Sequence, residues 1–315
     1  MNLIIYMPAL NEADNIQQVI ARLPRKLKGI GTIQYLVIDD GSTDATAEIA
    51  LANGAQVVRH GRNRGVGAAF HSAVQFALEN HADILIGMDA DGQFNPADIP
   101  AMIEPILKKR ADMVMGNRFA SGMPEHMPRA KYWGNQKVAQ LIHYVSRQKF
   151  QDVSCGFRAY SREALFRMNI FAEFTYTHET ILSLVFQGLQ VEERSIWIKY
   201  FPERKSRVAA SISNYAVQTS RIILRVMLDY QPLRIFGTLG SICLVIGSGF
   251  IIFLMGYFAL TGSFTPYKNT GFIGLGFIVF GMLVLLIALI ADMLNRVRLN
   301  QDKLLYELKK SKYKE

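Results

Sequence analysis

Three short polar segments in the first hundred residues have the side chains for chemistry. They are Asn11-Glu12 behind Pro8, the run Asp39-Asp40-Gly41-Ser42-Thr43-Asp44, and Asp89-Ala90-Asp91-Gly92. Carboxylates brought to one place repel one another unless a cation or a donor-rich ligand sits among them. Oxygen-only ligands favour a hard divalent ion over zinc. An Asp-x-Asp pair alone is a weak signal, because two aspartates near a turn are common. Three such segments in one order are a stronger one.

A fourth segment, Arg62-Asn63-Arg64-Gly65-Val66-Gly67, places guanidinium groups beside a glycine turn that opens a helix. Backbone N–H groups at such a turn hold phosphate or ribose. It is not a dinucleotide fingerprint, because Phe70 stands where Gly-x-Gly-x-x-Gly needs its third small residue. A phosphate-loop NTPase is excluded as well, since no Gly-Lys-Ser or Gly-Lys-Thr occurs.

The elements that must position these segments follow from periodicity. Apolar runs at 3–7, 34–38, 55–59, 84–88 and 113–115 predict strands, and helix-period stretches at 12–23, 44–52, 67–79 and 96–109 predict helices. Asn95 before Pro96 is a cap and first-turn pair. Strict alternation predicts an α/β domain with a mostly parallel sheet and helices on both faces, which binds ligands at the carboxyl ends of its strands. The acidic segments follow the first, second and fourth predicted strands, so they converge on one rim.

The 315 residues exceed one average domain, and their net charge of +9 is unevenly placed. Residues 1–193 and 235–295 are close to neutral, whereas 194–234 and 296–315 are basic. Basic blocks flanking a neutral one suit an anchor meeting anionic lipid and exclude a nucleic-acid face. Within the neutral block, 235–260 and 269–291 hold no charged residue, and each is long enough to span a bilayer. Arg221, Arg225 and Arg234 precede the first span and Arg296 and Arg298 follow the second, which puts both termini on the cytoplasmic side. No cleaved leader is expected at the N-terminus. Asn214, Gln218, Arg221, Arg225 and Asp229 form one helical stripe, with Ile212, Tyr215, Ile222, Val226 and Tyr230 elsewhere around the helix, an interfacial amphipathic pattern. The expected divisions are a catalytic domain over 1–203, a juxtamembrane basic turn and amphipathic helix over 204–234, two transmembrane helices over 235–291 and a basic tail over 292–315. Cys155 and Cys243 fall in segments of unlike character and are not expected to pair. The glycines of the spans, such as Gly237 with Ser241 four residues on, suit close helix contact within a hairpin or in a homo-oligomer.

Together with Gly116-Asn117-Arg118-Phe119 and the segment from Asp152 to Arg158, these motifs resemble family 2 glycosyltransferases of the GT-A (Rossmann-like) fold. With two C-terminal spans the chain is similar to the polyisoprenyl-phosphate glycosyltransferases: dolichol-phosphate mannose synthases and the bacterial undecaprenyl-phosphate glucosyl- and aminoarabinose-type enzymes. The resemblance implies a membrane-anchored, inverting, metal-dependent transferase that moves one sugar from a UDP- or GDP-linked donor to undecaprenyl or dolichyl phosphate. A bacterial inner membrane is the expected location. The matching positions assign Asp89 and Asp91, with Gln93, to Mg²⁺ or Mn²⁺. They assign Pro8, Asn11, Glu12, Asp40, Asn63, Gly65, Gly67, Asp89 and Ala90 to the donor. Asp152 is implied as base or orienting group, with Asp91 and Arg118 also catalytic, and Arg118, Arg158, Arg204, Lys205 and Arg207 would meet the acceptor phosphate. A phosphate monoester is largely dianionic at neutral pH, so cations that hold it in line matter more than a strong base. Cys155 reads as a small buried filler, and the His178-Glu179 pair as structural. Two rivals remain: a processive polysaccharide synthase, disfavoured because no Gln-x-x-Arg-Trp occurs and two spans make a poor polymer channel, and a catalytically silent membrane scaffold.

Overall fold

The computed structural model describes residues 1–169, 176–200 and 212–313. Seven strands form one sheet in the order β3-β2-β1-β4-β6-β5-β7. They are β1 Asn2–Ala9, β2 Thr32–Asp39, β3 Gln56–Arg59, β4 Ile84–Gly87, β5 Met113–Asn117, β6 Arg158–Ser161 and β7 Val191–Ser195. β1 is parallel to β2 and β4, β2 to β3, and β5 to β7, while β6 runs antiparallel to both β4 and β5. The five predicted strands are present. β6 and β7 add to them; Arg158, Glu192, Glu193 and Arg194 break the apolar runs by which strands are recognised.

The helices of this part are α1 Ala13–Ala21, α2 Thr46–Ala52, α3 Val66–Glu79, α4 Ile99–Leu107, α5 Arg129–Ser146, α6 Arg162–Arg167 and α7 Thr177–Phe186. Asn95 caps a separate 3₁₀ turn, Pro96–Asp98, by accepting from the Ala97 N–H, so the predicted helix over 96–109 begins as a tighter turn. β4 and β5 are buried at every residue, which is why they read as unbroken apolar runs and not as alternating ones. Gly87 is required where it lies, because a Cβ there would enter the Tyr6 ring. Tyr6, Phe70, Tyr160 and Tyr176 fill the space beside it, with Phe70 stacked on Tyr176 at 4.0 Å between ring centroids.

The chain divides into two compact units, Met1–Ile223 with Leu305–Glu315, and Leu224–Leu304. α8 Ile212–Tyr230, α9 Pro232–Thr261 and α10 Lys268–Lys312 are the remaining helices. α9 and α10 are each long and apolar enough to cross a membrane. Within the second unit they pack as an antiparallel hairpin through paired glycines. A Cβ on Gly240 would lie 3.0 Å from the Gly281 carbonyl oxygen, and one on Gly247 would lie 2.7 Å from that of Gly274. Small residues let the two backbones approach where lipid supplies no hydrophobic driving force. Gly237 faces open space instead. At the other end of α10, its final residues pack within the first unit. The Tyr306 hydroxyl donates to Glu163 Oε2 at 3.0 Å, and Lys309 Nζ donates to the Met168 carbonyl at 2.6 Å and Asn169 Oδ1 at 3.0 Å. The expected tail over 292–315 therefore continues the second apolar helix without a break as far as Lys312.

Candidate active site

The loops after β1, β2 and β4 meet at the carboxyl end of the parallel strands, where the sequence places them. Asn11, in the left-handed region at φ 51°, receives the Thr43 N–H on its side-chain oxygen at 2.8 Å, and its own N–H donates to Ser42 Oγ at 2.9 Å. The Glu12 N–H donates to Thr46 Oγ1 at 2.8 Å. Pro8 pairs with Ile38 in the β1–β2 register, one residue before the two strands end.

Three carboxylates of the rim hold backbone. Asp39, with no exposure, accepts the Ser42 N–H at 2.8 Å and lies 3.1 Å from Arg59 Nε. Asp44 accepts from the Ala13 and Thr46 N–H groups and the Thr46 hydroxyl. Partial burial would raise its carboxyl, but those hydrogen bonds outweigh it and hold its pKa below the usual carboxylate range. Asp40 accepts the Arg64 N–H at 3.0 Å and the Gly65 N–H at 2.8 Å, and bonds His60 Nδ1 at 2.7 Å. His60 Nε2 in turn meets Ser72 Oγ on α3 at 2.9 Å. The glycine loop is thereby tied to β2 and α3. Gly41 allows it to come close, since a Cβ at its φ of +83° would lie 2.6 Å from the Arg62 carbonyl carbon. Asn63 Oδ1 also accepts the Gly65 N–H at 3.0 Å, and Gly67 is buried in the first turn of α3.

Asp89 and Asp91 follow β4. Asp91 Oδ1 accepts the Gln93 N–H at 3.0 Å, Ala90 is buried, and the Gln93 carbonyl accepts the Lys199 N–H at 3.0 Å. A Cβ on Gly156 would stand 3.4 Å from Asp89 Oδ1, so the glycine of the Asp152–Arg158 segment lets that segment lie against the carboxylate. No three His, Cys, Asp or Glu side chains form a metal-holding group among the described residues. Two hard carboxylates fit Mg²⁺ or Mn²⁺, ions that keep waters and substrate phosphates in their shell and do not require an all-protein cage.

Beside them is a buried ion pair. Arg118 Nε and Nη2 donate to Asp152 Oδ2 and Oδ1 at 2.6 and 2.8 Å, Nη2 also reaches Ser154 Oγ at 2.8 Å, and Nη1 donates to the Tyr200 hydroxyl at 3.2 Å. The Arg118 side chain is 7% exposed and that of Asp152 0%. Burial opposes the Arg118 charge, but the Asp152 carboxylate outweighs it and pushes the guanidinium pKa up. Glu193 on β7 accepts the Gln151 and Asp152 N–H groups, each at 2.9 Å, and its carboxyl is pushed up by burial. Lys131 on α5 completes the group. Its ammonium lies 5.7 Å from the Tyr200 ring centroid, and its pKa is lowered by burial and then by Arg118, against the opposing pull of Asp152, Asp89 and Asp91.

The structure therefore gathers Asp89, Asp91, Arg118 and Asp152 near the loops after β1 and β2, but it places Arg158 differently. Arg158 is wholly buried, and its guanidinium donates to the carbonyls of Val153, Cys155 and Thr177 and to Thr180 Oγ1. It braces the 152–158 segment from behind and is not presented to the rim. Arg204, Lys205 and Arg207 lie outside the described residues. Cys155 is buried, and burial pushes its thiol up to about 12, the state of an inert filler. His178 is buried and lowered to about 3 by burial and Arg158, so it stays neutral. Sequence reasoning missed Lys131, Asn135, Ser154, Tyr200, His60 and Ser72. Ser154 sits inside a motif already singled out, but the others occupy no pattern and become visible only through their partners.

Comparison with known proteins names this arrangement. Residues 4–167 match the model of "Glycosyl transferase family 2". The chain belongs to that family. Over 312 residues it is 28% identical to "Glycosyltransferase AglJ" of Haloferax volcanii, covering 96% of this chain and 97% of that protein. It is 29% identical to the "UDP-N-acetylglucosamine--dolichyl-phosphate N-acetylglucosaminyltransferase" of Methanococcus voltae, covering 51% of this chain and 70% of the relative. Among solved structures, glucosyl-3-phosphoglycerate synthase of Mycobacterium tuberculosis, crystallised with Mn²⁺, UDP-glucose and phosphoglyceric acid, superposes with a TM-score of 0.58. That match is 20% identical in sequence and covers 71% of this chain and 79% of that one. It shows that the chain has the family's GT-A fold.

Proposed function

We propose that the protein is a membrane-anchored inverting transferase that moves a single sugar from a UDP- or GDP-linked donor to a polyisoprenyl phosphate, undecaprenyl or dolichyl. The observation that carries this reading is Lys131, which lies within electrostatic reach of Asp89 and Asp91 and beside the buried Arg118–Asp152 pair. Carboxylates suited to a divalent ion lie there beside positive groups suited to a second phosphate. The Methanococcus relative, whose name gives a nucleotide-sugar donor and a dolichyl phosphate acceptor, supports it. So do the two long apolar helices. The end of α10 packs on α6 within the catalytic unit, and Arg221, Arg225, Arg234, Arg296 and Arg298 beside the spans support a cytoplasmic side for both ends of the hairpin.

In this reading Asp89 and Asp91, with Gln93 near them, would hold Mg²⁺ or Mn²⁺, which when bound would supply Lewis-acid neutralisation of the nucleoside diphosphate. The loops of Pro8, Asn11, Glu12, Asp40, Asn63, Gly65 and Gly67, with Ala90, hold the nucleotide. Lys131 and the remaining Nη1 N–H of Arg118 hold the acceptor phosphate. An oxygen of that phosphate attacks the anomeric carbon, the bond to the diphosphate breaks, and its electron pair leaves with the diphosphate. The acceptor is already dianionic, so no proton must be removed. Asp152, bonded twice to Arg118, orients that guanidinium. The test is the full chain in detergent with Mg²⁺, a panel of UDP- and GDP-sugars and undecaprenyl phosphate. Release of nucleoside diphosphate with one sugar on the extracted lipid supports the reading. A soluble growing polymer would establish the processive synthase, and no turnover of any donor would favour the silent scaffold.

A further inference from the structure

Successive residues of β7 point to opposite faces of the sheet. Glu192 and Arg194 share one face, where Arg194 Nη2 pairs with Glu192 Oε2 at 2.8 Å and lies 3.6 Å from Glu104 of α4. Glu193 lies on the other face, and no Lys or Arg stands at ion-pair distance from it among the described residues. Its oxygens meet backbone instead. Oε1 accepts the Gln151 and Asp152 N–H groups, each at 2.9 Å, and Oε2 accepts the Gln151 N–H at 3.1 Å.

A half-buried carboxylate with no cation beside it costs desolvation that an apolar strand residue would not. What it secures is the placement of a loop. Glu193 pairs with Met115 in the parallel β5–β7 register, and β5 ends at Asn117, immediately before Arg118. The same two strands therefore carry Arg118 and, through Glu193, the backbone of its partner Asp152. Asn117 Nδ2 holds the Gln151 side-chain oxygen at 2.9 Å and Asn135 Nδ2 the Gln151 carbonyl at 3.1 Å, which leaves both N–H groups to Glu193. We propose that Glu193 is a positioning residue: it fixes the backbone at 151–152 so that the Asp152 carboxylate meets Nε and Nη2 of Arg118 and aims Nη1 at the acceptor phosphate. The aim at phosphate rests on the transferase reading; the placement of Arg118 does not.

The test uses the full chain in detergent. Glu193→Asp keeps the charge and draws the oxygens back by one methylene, Glu193→Ala removes them, and Glu193→Gln keeps one oxygen for both Oε1 bonds. Loss of one hydrogen bond to a charged group is worth about tenfold in affinity. Glu193→Asp and Glu193→Ala should therefore raise KM for undecaprenyl phosphate about tenfold and leave donor KM unchanged, and Glu193→Gln should restore it. A side chain that only supports the fold would lower kcat through the active fraction and leave both KM values alone, and that pattern overturns the proposal. Arg118 gives a readout free of turnover. In protein carrying isotope-labelled arginine, the Arg118 Nε–H resonance, identified by its loss in Arg118→Lys, should move upfield in Glu193→Asp and return in Glu193→Gln. A resonance that stays in place in Glu193→Asp overturns the proposal even where KM rises. Should Glu193→Ala fail to fold, the comparison of Glu193→Asp with Glu193→Gln decides. A chain that turns over no donor sinks the transferase reading, and the resonance then decides the placement of Arg118 by itself.

Discussion

Asp152→Asn separates two roles for one carboxylate. Asp152 is 0% exposed and bonds Arg118 through both oxygens, at 2.6 and 2.8 Å. Hydrogen bonds to charged groups are worth about 1.5–3 kcal/mol each and neutral ones about 1 kcal/mol. An amide keeps one accepting oxygen for Arg118 and turns an NH₂ toward its other nitrogen, so the predicted loss is about 2–4 kcal/mol. For a domain of this size each kcal/mol moves Tm by about 2–4 °C, which gives a fall of about 5–15 °C in a tryptophan-fluorescence melt. A misplaced Arg118 should also raise KM for the lipid phosphate, with little change in the shape of the pH–rate profile. A general base predicts the opposite pattern: a large fall in kcat, loss of the acidic limb, and acceptor KM and Tm nearly unchanged. That second pattern would refute the assignment of Asp152 as the group that orients Arg118.

Three further predictions follow from the same geometry. Asp91→Ala should abolish transfer while leaving the amount of protein in the membrane fraction unchanged, as read by blot and donor turnover; an active variant removes the metal assignment. Lys131, lowered by burial and Arg118, binds phosphate only while protonated, so kcat/KM for the acceptor should fall as pH rises through its lowered pKa. Lys131→Arg should move that alkaline limb upward, and a limb that does not move clears Lys131. His60→Ala breaks the link that holds Asp40, the anchor of the glycine loop, to Ser72 on α3, and should raise donor KM several-fold with kcat nearly unchanged; equal donor KM in both proteins would disprove the tie.

The parallel half of the sheet was legible because buried strands leave continuous apolar runs, as at β1 and β4, and because the rule on strand ends pointed at Asn11, Asp40 and Asp89 before any contact was known. β6 and β7 were not legible, since Arg158 is buried and Glu193 is held by specific partners, and a hydrophobic pattern carries no trace of those. The same limit misdirected the reading of Arg158: its place in a motif suggested a ligand, whereas its donors are spent on carbonyls of its own loop. Lys131 was hidden for the converse reason. It lies in no motif, and only the fold of α5 brings it beside Asp89 and Asp91.

Lipid product analysis with the purified full chain bears most directly on the central reading. Undecaprenyl phosphate, Mg²⁺ and each radiolabelled UDP- or GDP-sugar are supplied in turn, and the chloroform-extracted lipid is resolved by mass spectrometry. The account predicts a mass increase of one glycosyl unit on the lipid phosphate, matched by one released nucleoside diphosphate and lost with Asp91→Ala. Label that partitions into water as polymer, or donor that stays intact with every sugar tried, contradicts it.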